Sequence, residues 1–232
     1  YVWGSQNELG TLTTYQPVAT TASTIFASQF KYNLKDPRNL DAAFRQVFNG
    51  GWTYSKQGAT PNGTNGYSDT KLNGSTQLTQ ITTHLSAYVR NNSNNGNPYD
   101  MGSSNISSTS SNDTYLITRY STNNAYIGIA DDTYSTSIAS TDSRGFWVGA
   151  TNGSLSQKLY KNGTSIKSGT ITTKSFANQN LYIGAINGGG TAVFFSNKEY
   201  AFASIGDGLS DSEASAMYTS VQSYQTSMQR QV

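Results

Sequence analysis

Short runs of apolar and β-branched residues, separated by turn residues, dominate the chain from Thr79 to Phe202. Tyr, Ile, Val, Leu, Phe and Thr fill the runs, and clusters of Gly, Asn, Asp and Ser divide them. This pattern is typical of antiparallel strands joined by tight turns, and its spacing predicts a sandwich or a barrel. We predict strands near residues 83–90, 114–120, 124–130, 144–150, 155–161, 179–186 and 192–204.

Asn162-Gly163 is the clearest turn in the sequence. Residues 155–161 and 165–168 flank it, and an Asn-Gly pair accepts the positive φ angles of a two-residue hairpin turn. Leu159 alternates with Lys158 and Tyr160, so we expect one face of this hairpin to be buried and the other to meet solvent.

The C-terminal segment predicts one amphipathic helix. Ser210-Asp211-Ser212-Glu213 fits a capping box. Apolar residues then recur at helical spacing, which predicts one stripe that packs on the strands. The stripe consists of Ala214, Met217, Tyr218, Val221 and Tyr224.

The N-terminal third has a less regular pattern. Residues 41–48 fit either a short helix or an entering strand, and residues 50–66 contain the Gly, Asn and Pro that favour loops. Residues 91–111 are poor in apolar residues and rich in Asn, Ser and Gly, so we expect a long exposed connection there.

The composition excludes several classes of function. Charged residues make up only 12% of the chain, about half the usual share, and the net charge of +2 offers no basic surface for nucleic acid. There is no cysteine, and no stretch approaches 18 apolar residues, so we expect no thiol chemistry and no membrane insertion. The start at Tyr1 fits neither an initiator Met nor a signal peptide, so we expect a processed product or part of a longer protein.

Several segments resemble laminin-G-like, concanavalin A-like jelly rolls. In that family an Asn-Gly hairpin precedes a strand ending in Ile-Gly, an inner strand and a Leu-Ser/Thr-Asp-x-Glu helix start. The matching segments are LYKNG at 159–163, LYIGA at 181–185, YAFASI at 200–205 and LSDSE at 209–213, with front strands at 66–73 and 83–88. The resemblance implies an all-β antiparallel sandwich over residues 41–232 with one C-terminal helix, and residues 1–40 as an extension or linker packing on it.

A second resemblance concerns biological context. Residues 206–209 and 225–232 are similar to modules that recur in bacteriophage tail, fibre and other virion surface proteins, and in bacterial surface proteins. This implies an extracellular or virion-surface location. Its implied partners are a host-surface glycan or other virion subunits, with a homo-oligomer as one arrangement.

Catalytic pairs are hard to find in the sequence. Glycoside hydrolases of this architecture resemble one another in a Glu-x-Asp-x-x-Glu strand, which sets an acid and a nucleophile close together. This chain lacks such a run, although carboxylates from different strands could still meet in space. Its only His, His84, lacks the Gln-Ile-His context of polysaccharide lyases of this fold. We therefore expect a protein that is not an enzyme and has no catalytic residues.

Two further polar features have competing interpretations. His84 lies in an alternating run, which favours a partly buried strand residue bonded to a neighbouring hydroxyl over a catalytic or metal role. Asp131 and Asp132 end a strand at a turn and could bind calcium, as some laminin-G-like domains do at a rim. The alternative is an Asx-rich turn without an ion. We expect no other cofactor.

Aromatic residues are the best candidates for ligand contacts. They make up 12% of the chain, and those in loops can stack on sugar rings while Asn and Asp bond the sugar hydroxyls. We expect Trp147 to be a core residue. The loop-proximal candidates for a ligand-binding site are Trp52, Tyr54, Tyr67, Tyr99 and Tyr134.

The sequence thus favours a non-enzymatic surface module. Our leading hypothesis is a surface module of a phage or related virion, either an adhesion domain for host glycans or a structural decoration or fibre component. The alternatives are a bacterial carbohydrate-binding adhesin and, from another class, a polysaccharide-degrading enzyme.

Overall fold

The computed structural model describes residues 44–105, 112–131, 133–134 and 136–232. Within these ranges the chain forms sixteen strands and two helices. The strands are β1 (Val47–Asn49), β2 (Trp52–Tyr54), β3 (Ala59–Pro61), β4 (Tyr67–Asn73), β5 (His84–Val89), β6 (Met101–Ser104), β7 (Thr114–Ile117), β8 (Asn124–Gly128), β9 (Thr136–Ala139), β10 (Gly145–Thr151), β11 (Ser156–Lys161), β12 (Thr164–Thr170), β13 (Asn180–Ile183), β14 (Ile186–Gly188), β15 (Thr191–Val193) and β16 (Tyr200–Gly206). The helices are α1 (Gly74–Gln77) and α2 (Asp211–Ser227).

The strands form two sheets that pack face to face as a jelly-roll-like β-sandwich. One sheet has nine strands, seven of them in the order β1-β4-β13-β6-β7-β8-β9, with β14 and β15 attached beside β6. The other has seven strands in the order β12-β11-β10-β5-β16-β3-β2. All pairs are antiparallel except β14 with β6. The predicted fold class, an all-β sandwich with one C-terminal helix, is confirmed.

Residues that alternate along the strands build the core between the sheets. Leu85, Ala87 and Val89 of β5 face Leu116 and Ile127 of the opposite sheet, and all five are buried. Successive side chains in a strand point to opposite faces, so the residues between these project outward. Each sheet therefore also has an outer face, whose side chains lie outside the core between the sheets.

Helix α2 covers the outer face of the seven-stranded sheet. Tyr88 and Phe146 of that sheet pack in one buried cluster with Ala214 and Val221 of the helix. The helix begins as predicted, because the Ser210 hydroxyl accepts a hydrogen bond from the Glu213 amide and Glu213 bonds back to the Ser210 amide. Tyr224, the last residue of the predicted stripe, is instead 40% exposed.

The Asn162-Gly163 hairpin is confirmed. Both residues have positive φ, +50° and +75°, and they join β11 directly to β12. The expectation that one hairpin face meets solvent is wrong for β11, where Leu159 and Tyr160 are both buried. Leu159 lies in the sandwich core, and α2 covers the other face, so both sides of this strand are packed.

Other local predictions needed correction. The single run at 192–204 is two strands, β15 and β16, because residues 194–199 leave the sheet between them. The expected loop at 50–66 contains β2 and β3, and the expected exposed connection at 91–111 contains β6, which is entirely buried. Of the two alternatives for residues 41–48, the entering strand is the one seen, at Val47–Asn49. The proposed extension at 1–40 lies outside the described residues.

Candidate functional site

The outer face of the nine-stranded sheet carries a cluster of aromatic side chains. In β7, Leu116 faces the core whereas Tyr115 and Ile117 project outward, and in β8 Tyr126 projects outward beside them. Loops add four more rings to this side. We call this cluster the tyrosine face; it consists of Tyr99, Tyr115, Tyr120, Tyr126, Tyr134 and Phe194.

The rings of the tyrosine face contact one another in series. Tyr134 stacks on Tyr115 with ring centroids 4.8 Å apart, and Tyr126 meets Tyr134 edge to face at 6.0 Å. Tyr99 approaches Tyr120 at 6.4 Å and Phe194 at 5.5 Å. Such pairs hold each other in fixed orientations. The cluster is therefore a continuous aromatic surface.

A glycine makes room for the most deeply placed ring. Gly128 of β8 pairs with Tyr115 of β7, and a Cβ at Gly128 would lie 2.4 Å from the Tyr115 ring. The Tyr115 ring thus lies against the backbone of the neighbouring strand, with Tyr134 stacked above it. Any larger residue at position 128 would displace this ring.

Two aromatic residues of the face have strained backbones and exposed side chains. Tyr134 has φ +52° and Phe194 has φ +55°, in the left-handed region that non-glycine residues rarely adopt. This conformation costs about 1–3 kcal/mol per residue and is concentrated at functional sites. Tyr134 is 37% exposed and Phe194 47%, whereas Tyr99 and Tyr115 are buried. The strain therefore accompanies the two most exposed rings of the face.

Polar groups border the exposed end of the face. The Tyr99 and Tyr134 hydroxyls are 2.7 Å apart, and the Tyr134 hydroxyl donates to Asp113 Oδ2 over 3.4 Å. The Ser104 hydroxyl also donates to Asp113. Burial raises the pKa of Tyr99 and of Tyr134, and the Asp113 carboxylate adds to both shifts. These phenols stay protonated and remain hydrogen-bond donors at neutral pH.

One phenol in the cluster is unusual because its hydroxyl has no hydrogen-bond partner in the part of the chain that the structure describes. Tyr115 is fully buried, and its hydroxyl makes no hydrogen bond to any of the described residues. Burial raises the pKa of Tyr115, so this hydroxyl is neutral. Unsatisfied buried polar groups are uncommon in native proteins and call for an explanation.

A buried ion pair anchors the elements beneath the face. Lys198 Nζ lies 2.9 Å from Asp100 Oδ2, with both side chains 0% exposed, and the Tyr200 hydroxyl donates to Asp100 Oδ1 over 2.8 Å. Burial lowers the pKa of Lys198, and the Asp100 carboxylate opposes that shift. Lys198 also donates to the Arg119 carbonyl. Asp100 directly follows Tyr99 and Arg119 directly precedes Tyr120 in the chain, so the ion pair fixes the backbone next to both rings.

The opposite border of the face is rich in side-chain amides. Arg119 Nε and Nη2 donate to Asn123 Oδ1 over 3.0 and 2.8 Å, and Nη1 donates to Asn92 Oδ1 over 2.7 Å. The Thr122 hydroxyl lies 3.4 Å from the Tyr126 hydroxyl at the same turn. We call this border the asparagine rim; it consists of Asn92, Asn94, Asn97 and Asn123.

Of the predicted ligand residues, the structure brings Tyr99 and Tyr134 together and places the other three elsewhere. Trp52 and Tyr54 lie on β2, where they stack at 6.5 Å, and Trp52 Nε1 donates to the carbonyls of Asn49 and Tyr67. Tyr67 lies on β4 and stacks on Tyr182 at 4.6 Å. These three are strand residues rather than loop residues.

Asp131 is buried, and nearby donors already use its carboxylate. Thr133 donates to Oδ1 through its amide and its hydroxyl, and Gln157 donates to Oδ2 over 3.1 Å. Asp132 lies outside the described residues. In the ranges that the structure covers, no group of three His, Asp or Glu could hold a metal ion. Calcium binding at Asp131 and Asp132 stays a prediction.

His84 has the environment expected of a strand residue. Its Nε2 lies 2.9 Å from the Ser204 hydroxyl, and its Nδ1 lies 2.5 Å from the Asp207 carbonyl. Burial lowers the pKa of His84. Trp147 is buried in the core as predicted, and its indole NH donates to the Ser143 carbonyl.

Sequence reasoning missed most of the tyrosine face. Tyr115, Tyr120, Tyr126 and Phe194 were not among the candidates, because they come from separate segments that only the fold brings together. A usable signal was present: Tyr115 and Tyr126 lie at outward positions of adjacent strands, and glycines stand opposite Tyr115 on both neighbours.

Comparison with known proteins supports the fold. No family model and no curated protein matches the chain. Domain 4 of AbnA, an extracellular arabinanase from Geobacillus stearothermophilus solved with arabinotriose, aligns with a TM-score of 0.51 at 14% identity over 75% of this chain and 88% of that domain. Trypanosoma rangeli sialidase aligns with a TM-score of 0.53 at 13% identity over 73% of this chain.

The sialidase alignment is partial, because the chain spans only 28% of that protein. The binding domain of botulinum neurotoxin serotype D gives a TM-score of 0.49 at 13% identity, covering 78% of this chain and 48% of that one. At these identities the likeness to the arabinanase domain and to the sialidase shows the β-sandwich fold alone. In the part of the chain that the structure describes, no helix is long and apolar enough to cross a membrane.

Proposed function

We propose that this chain is a non-enzymatic carbohydrate-binding module that holds glycans on the tyrosine face. The observation that carries this proposal is the pair of exposed rings, Tyr134 and Phe194, held in left-handed backbone conformations beside bonded hydroxyls and Asp113. Natural selection keeps such strain where a side chain must be presented in one orientation.

The chemistry of the face suits a sugar. Aromatic faces cover the apolar C–H surface of a sugar ring, and a small number of amides, hydroxyls and carboxylates orient its hydroxyls. The tyrosine face supplies the rings, Asp113 and the Tyr99 hydroxyl lie at one end, and the asparagine rim lies at the other. The AbnA domain solved with arabinotriose supports this proposal and suggests a first probe.

The same proposal includes that the chain does not catalyse cleavage of the glycan. Asp113 and Asp131, the carboxylates nearest the exposed rings, already accept hydrogen bonds from Ser104, Tyr134, Thr133 and Gln157. A general acid or base needs a carboxyl group directed at the substrate. Incubating the protein with a panel of polysaccharides and measuring new reducing ends tests this point. Product release that Asp113→Asn abolishes would make the chain an enzyme.

We also propose that the module works at the surface of a virion or cell, as part of a phage structural or adhesion protein or of a bacterial adhesin. The resemblance of residues 206–209 and 225–232 to such modules supports this context. Its partners would be host-surface glycans or sibling subunits. Immunogold labelling of virions and cells tests the location, and analytical ultracentrifugation tests whether the chain forms a homo-oligomer.

Glycan binding can be tested with a matched pair of exposed tyrosines. Tyr134 on the face and Tyr224 on α2 are 37% and 40% exposed, respectively. We expect Tyr134→Ala to weaken binding of arabino-oligosaccharides, or of whichever glycan an array identifies, at least tenfold. Tyr224→Ala should leave it unchanged. Isothermal titration calorimetry measures both, and equal effects of the two variants would contradict the assignment of the site.

A further inference from the structure

Arg119 is a cation at the border of the tyrosine face, and its side-chain partners within the described ranges are neutral amides. Its three hydrogen bonds go to the side-chain oxygens of Asn92 and Asn123. Among the described residues Arg119 forms no salt bridge. Arg144, in contrast, is paired with Asp142 at 2.8 Å. Within the described residues, no carboxylate therefore balances the Arg119 charge beside the proposed binding surface.

The amides hold the guanidinium in place without consuming all its donors. Arginine has five N–H donors, and the bonds to Asn92 and Asn123 use one each on Nε, Nη1 and Nη2. One donor therefore remains on each terminal nitrogen. Two such donors match the spacing of the two oxygens of a carboxylate, which is the strongest partner for a guanidinium.

The turn between β7 and β8 joins Arg119 to the aromatic rings. Tyr120 follows Arg119, and the Tyr120 ring lies 5.9 Å from Tyr126. The Tyr120 amide donates to the Asn124 carbonyl, and the Asn123 amide donates back to the Tyr120 carbonyl, which closes the turn. Lys198 fixes the Arg119 backbone from below. The cation and the rings are therefore held by one rigid element.

The two ends of the tyrosine face also differ in charge. The Asp113 and Asp131 carboxylates lie near Tyr115 and Tyr134, where they add to the rise in the pKa of Tyr115 that burial causes. Arg119 lies at the Tyr120 and Tyr126 end. The carboxylates are buried, so a ligand lying along the face would meet the positive charge of Arg119 at the Tyr120 end.

From this arrangement we propose that Arg119 binds the carboxylate of an acidic sugar unit, a uronate or a sialate, while the neighbouring sugar lies on the tyrosine face. This inference rests on the proposed glycan-binding function and adds a ligand class to it. Asn92 and Asn123 act as positioning residues, because they orient the guanidinium without contacting the carboxylate.

Matched acidic and neutral probes test the inference. Polygalacturonate is compared with fully methyl-esterified galacturonan, which differs only in that every carboxylate is esterified. Sialyllactose is compared with lactose, which lacks the sialate, so the two arms separate the two sources. We expect the protein to bind one acidic probe at least fivefold more tightly than its neutral match at low salt. The preference should shrink as salt rises, because it is electrostatic.

Three variants at two arginines identify the residue responsible. Arg119→Gln should abolish the preference for the acidic probe while Arg144→Gln keeps it. Arg119→Lys retains the charge without the fork and should keep only part of the preference; circular dichroism confirms that each variant is folded.

Equal affinity for acidic and neutral probes would overturn this inference while leaving glycan binding intact. Loss of the preference in Arg144→Gln but not in Arg119→Gln would also overturn it. If no probe or array glycan binds, or if Tyr134→Ala leaves binding unchanged, the proposed function itself fails and this inference fails with it.

Discussion

Both outer faces of the sandwich carry aromatic side chains, but the two faces are covered in different ways. On the seven-stranded sheet, Tyr88 and Phe146 project outward and α2 covers them completely. On the nine-stranded sheet, Tyr115 and Tyr126 project outward and other aromatic rings cover them only in part, leaving Tyr134 and Phe194 in solvent. The covered face serves stability, and the open face offers a surface of rings and hydroxyls that a ligand can complete.

The largest expected difference between the faces is in stability. Phe146 is fully buried under α2 and packs against Tyr88 and Phe202. Phe146→Ala should lower the free energy of unfolding by about 3–5 kcal/mol, because it leaves a large cavity. Phe194→Ala on the open face should lower it by less than about 1 kcal/mol. Urea denaturation measures both, and similar losses would show that the open face is also a structural core.

A second comparison uses one hydroxyl from each face. The Tyr88 hydroxyl donates to Gln222 and accepts from the Val232 amide, whereas the Tyr115 hydroxyl has no partner in the described part of the chain. Tyr88→Phe should lower the free energy of unfolding by about 1 kcal/mol. Tyr115→Phe should raise it by about 1 kcal/mol, because it removes a buried polar group that is not hydrogen-bonded.

These two variants also test whether the Tyr115 hydroxyl is hydrogen-bonded in the folded protein. If Tyr115→Phe destabilises the protein by as much as Tyr88→Phe does, the Tyr115 hydroxyl is bonded in the folded protein and the contrast between the faces is smaller than we describe. Thermal melts of both variants, run in parallel with the parent protein, give the answer.

Helix α2, which covers the outer face of the seven-stranded sheet, can be destabilised at its N-cap residue, Ser210. Ser210→Ala removes the hydroxyl that accepts from the Glu213 amide and should lower the free energy of unfolding by about 1 kcal/mol. Ser212→Ala is the control, because the Ser212 hydroxyl contacts the Ser210 hydroxyl over 3.2 Å but caps no amide. We expect the control to change stability by less than half as much, and glycan binding to be unchanged in both.

The smallest expected effect is a pH dependence at the end of the covered face. Burial lowers the pKa of His84 below its usual value near 6.5, so between the two values the unfolded chain binds more protons than the folded one. Stability from this residue is therefore present above about pH 6.5 and is lost as the pH falls toward the folded pKa. His84→Gln should flatten the stability profile between about pH 7.5 and 5.5, as measured by urea midpoints. An unchanged slope would assign the dependence to carboxylates.

Local signals were the most predictable part of the fold. Asn162-Gly163 and the Ser210 capping box act within a few residues, and both were found from the sequence. The strand β6 was missed, because Met101-Gly102-Ser103-Ser104 is short, lacks β-branched residues and follows an Asn-rich segment. Its strand conformation comes from pairing with β7 and β13, which no local pattern encodes.

The candidate site was harder to predict than the fold for the same reason. Tyr99 and Tyr134 were chosen as loop aromatics, and they do meet, yet Trp52 and Tyr67 were chosen on the same ground and lie in another cluster. Which aromatics share a face depends on strand register, which long-range pairing sets. Arg119 gave no signal at all, since its pairing with Asn92 and Asn123 is a property of the folded chain.

The position of α2 in the chain has a consequence for how the protein is made. Every strand of the seven-stranded sheet precedes α2 in sequence, so a ribosome releases Tyr88, Phe146 and Val148 before it releases the helix that shields them. During that interval the nascent chain exposes an apolar sheet surface, which is the kind of surface that associates with other chains. Expression slowed or stopped before residue 211 should therefore yield aggregates. Once synthesis has passed Ser227, the helix can cover the apolar sheet surface and prevent this association.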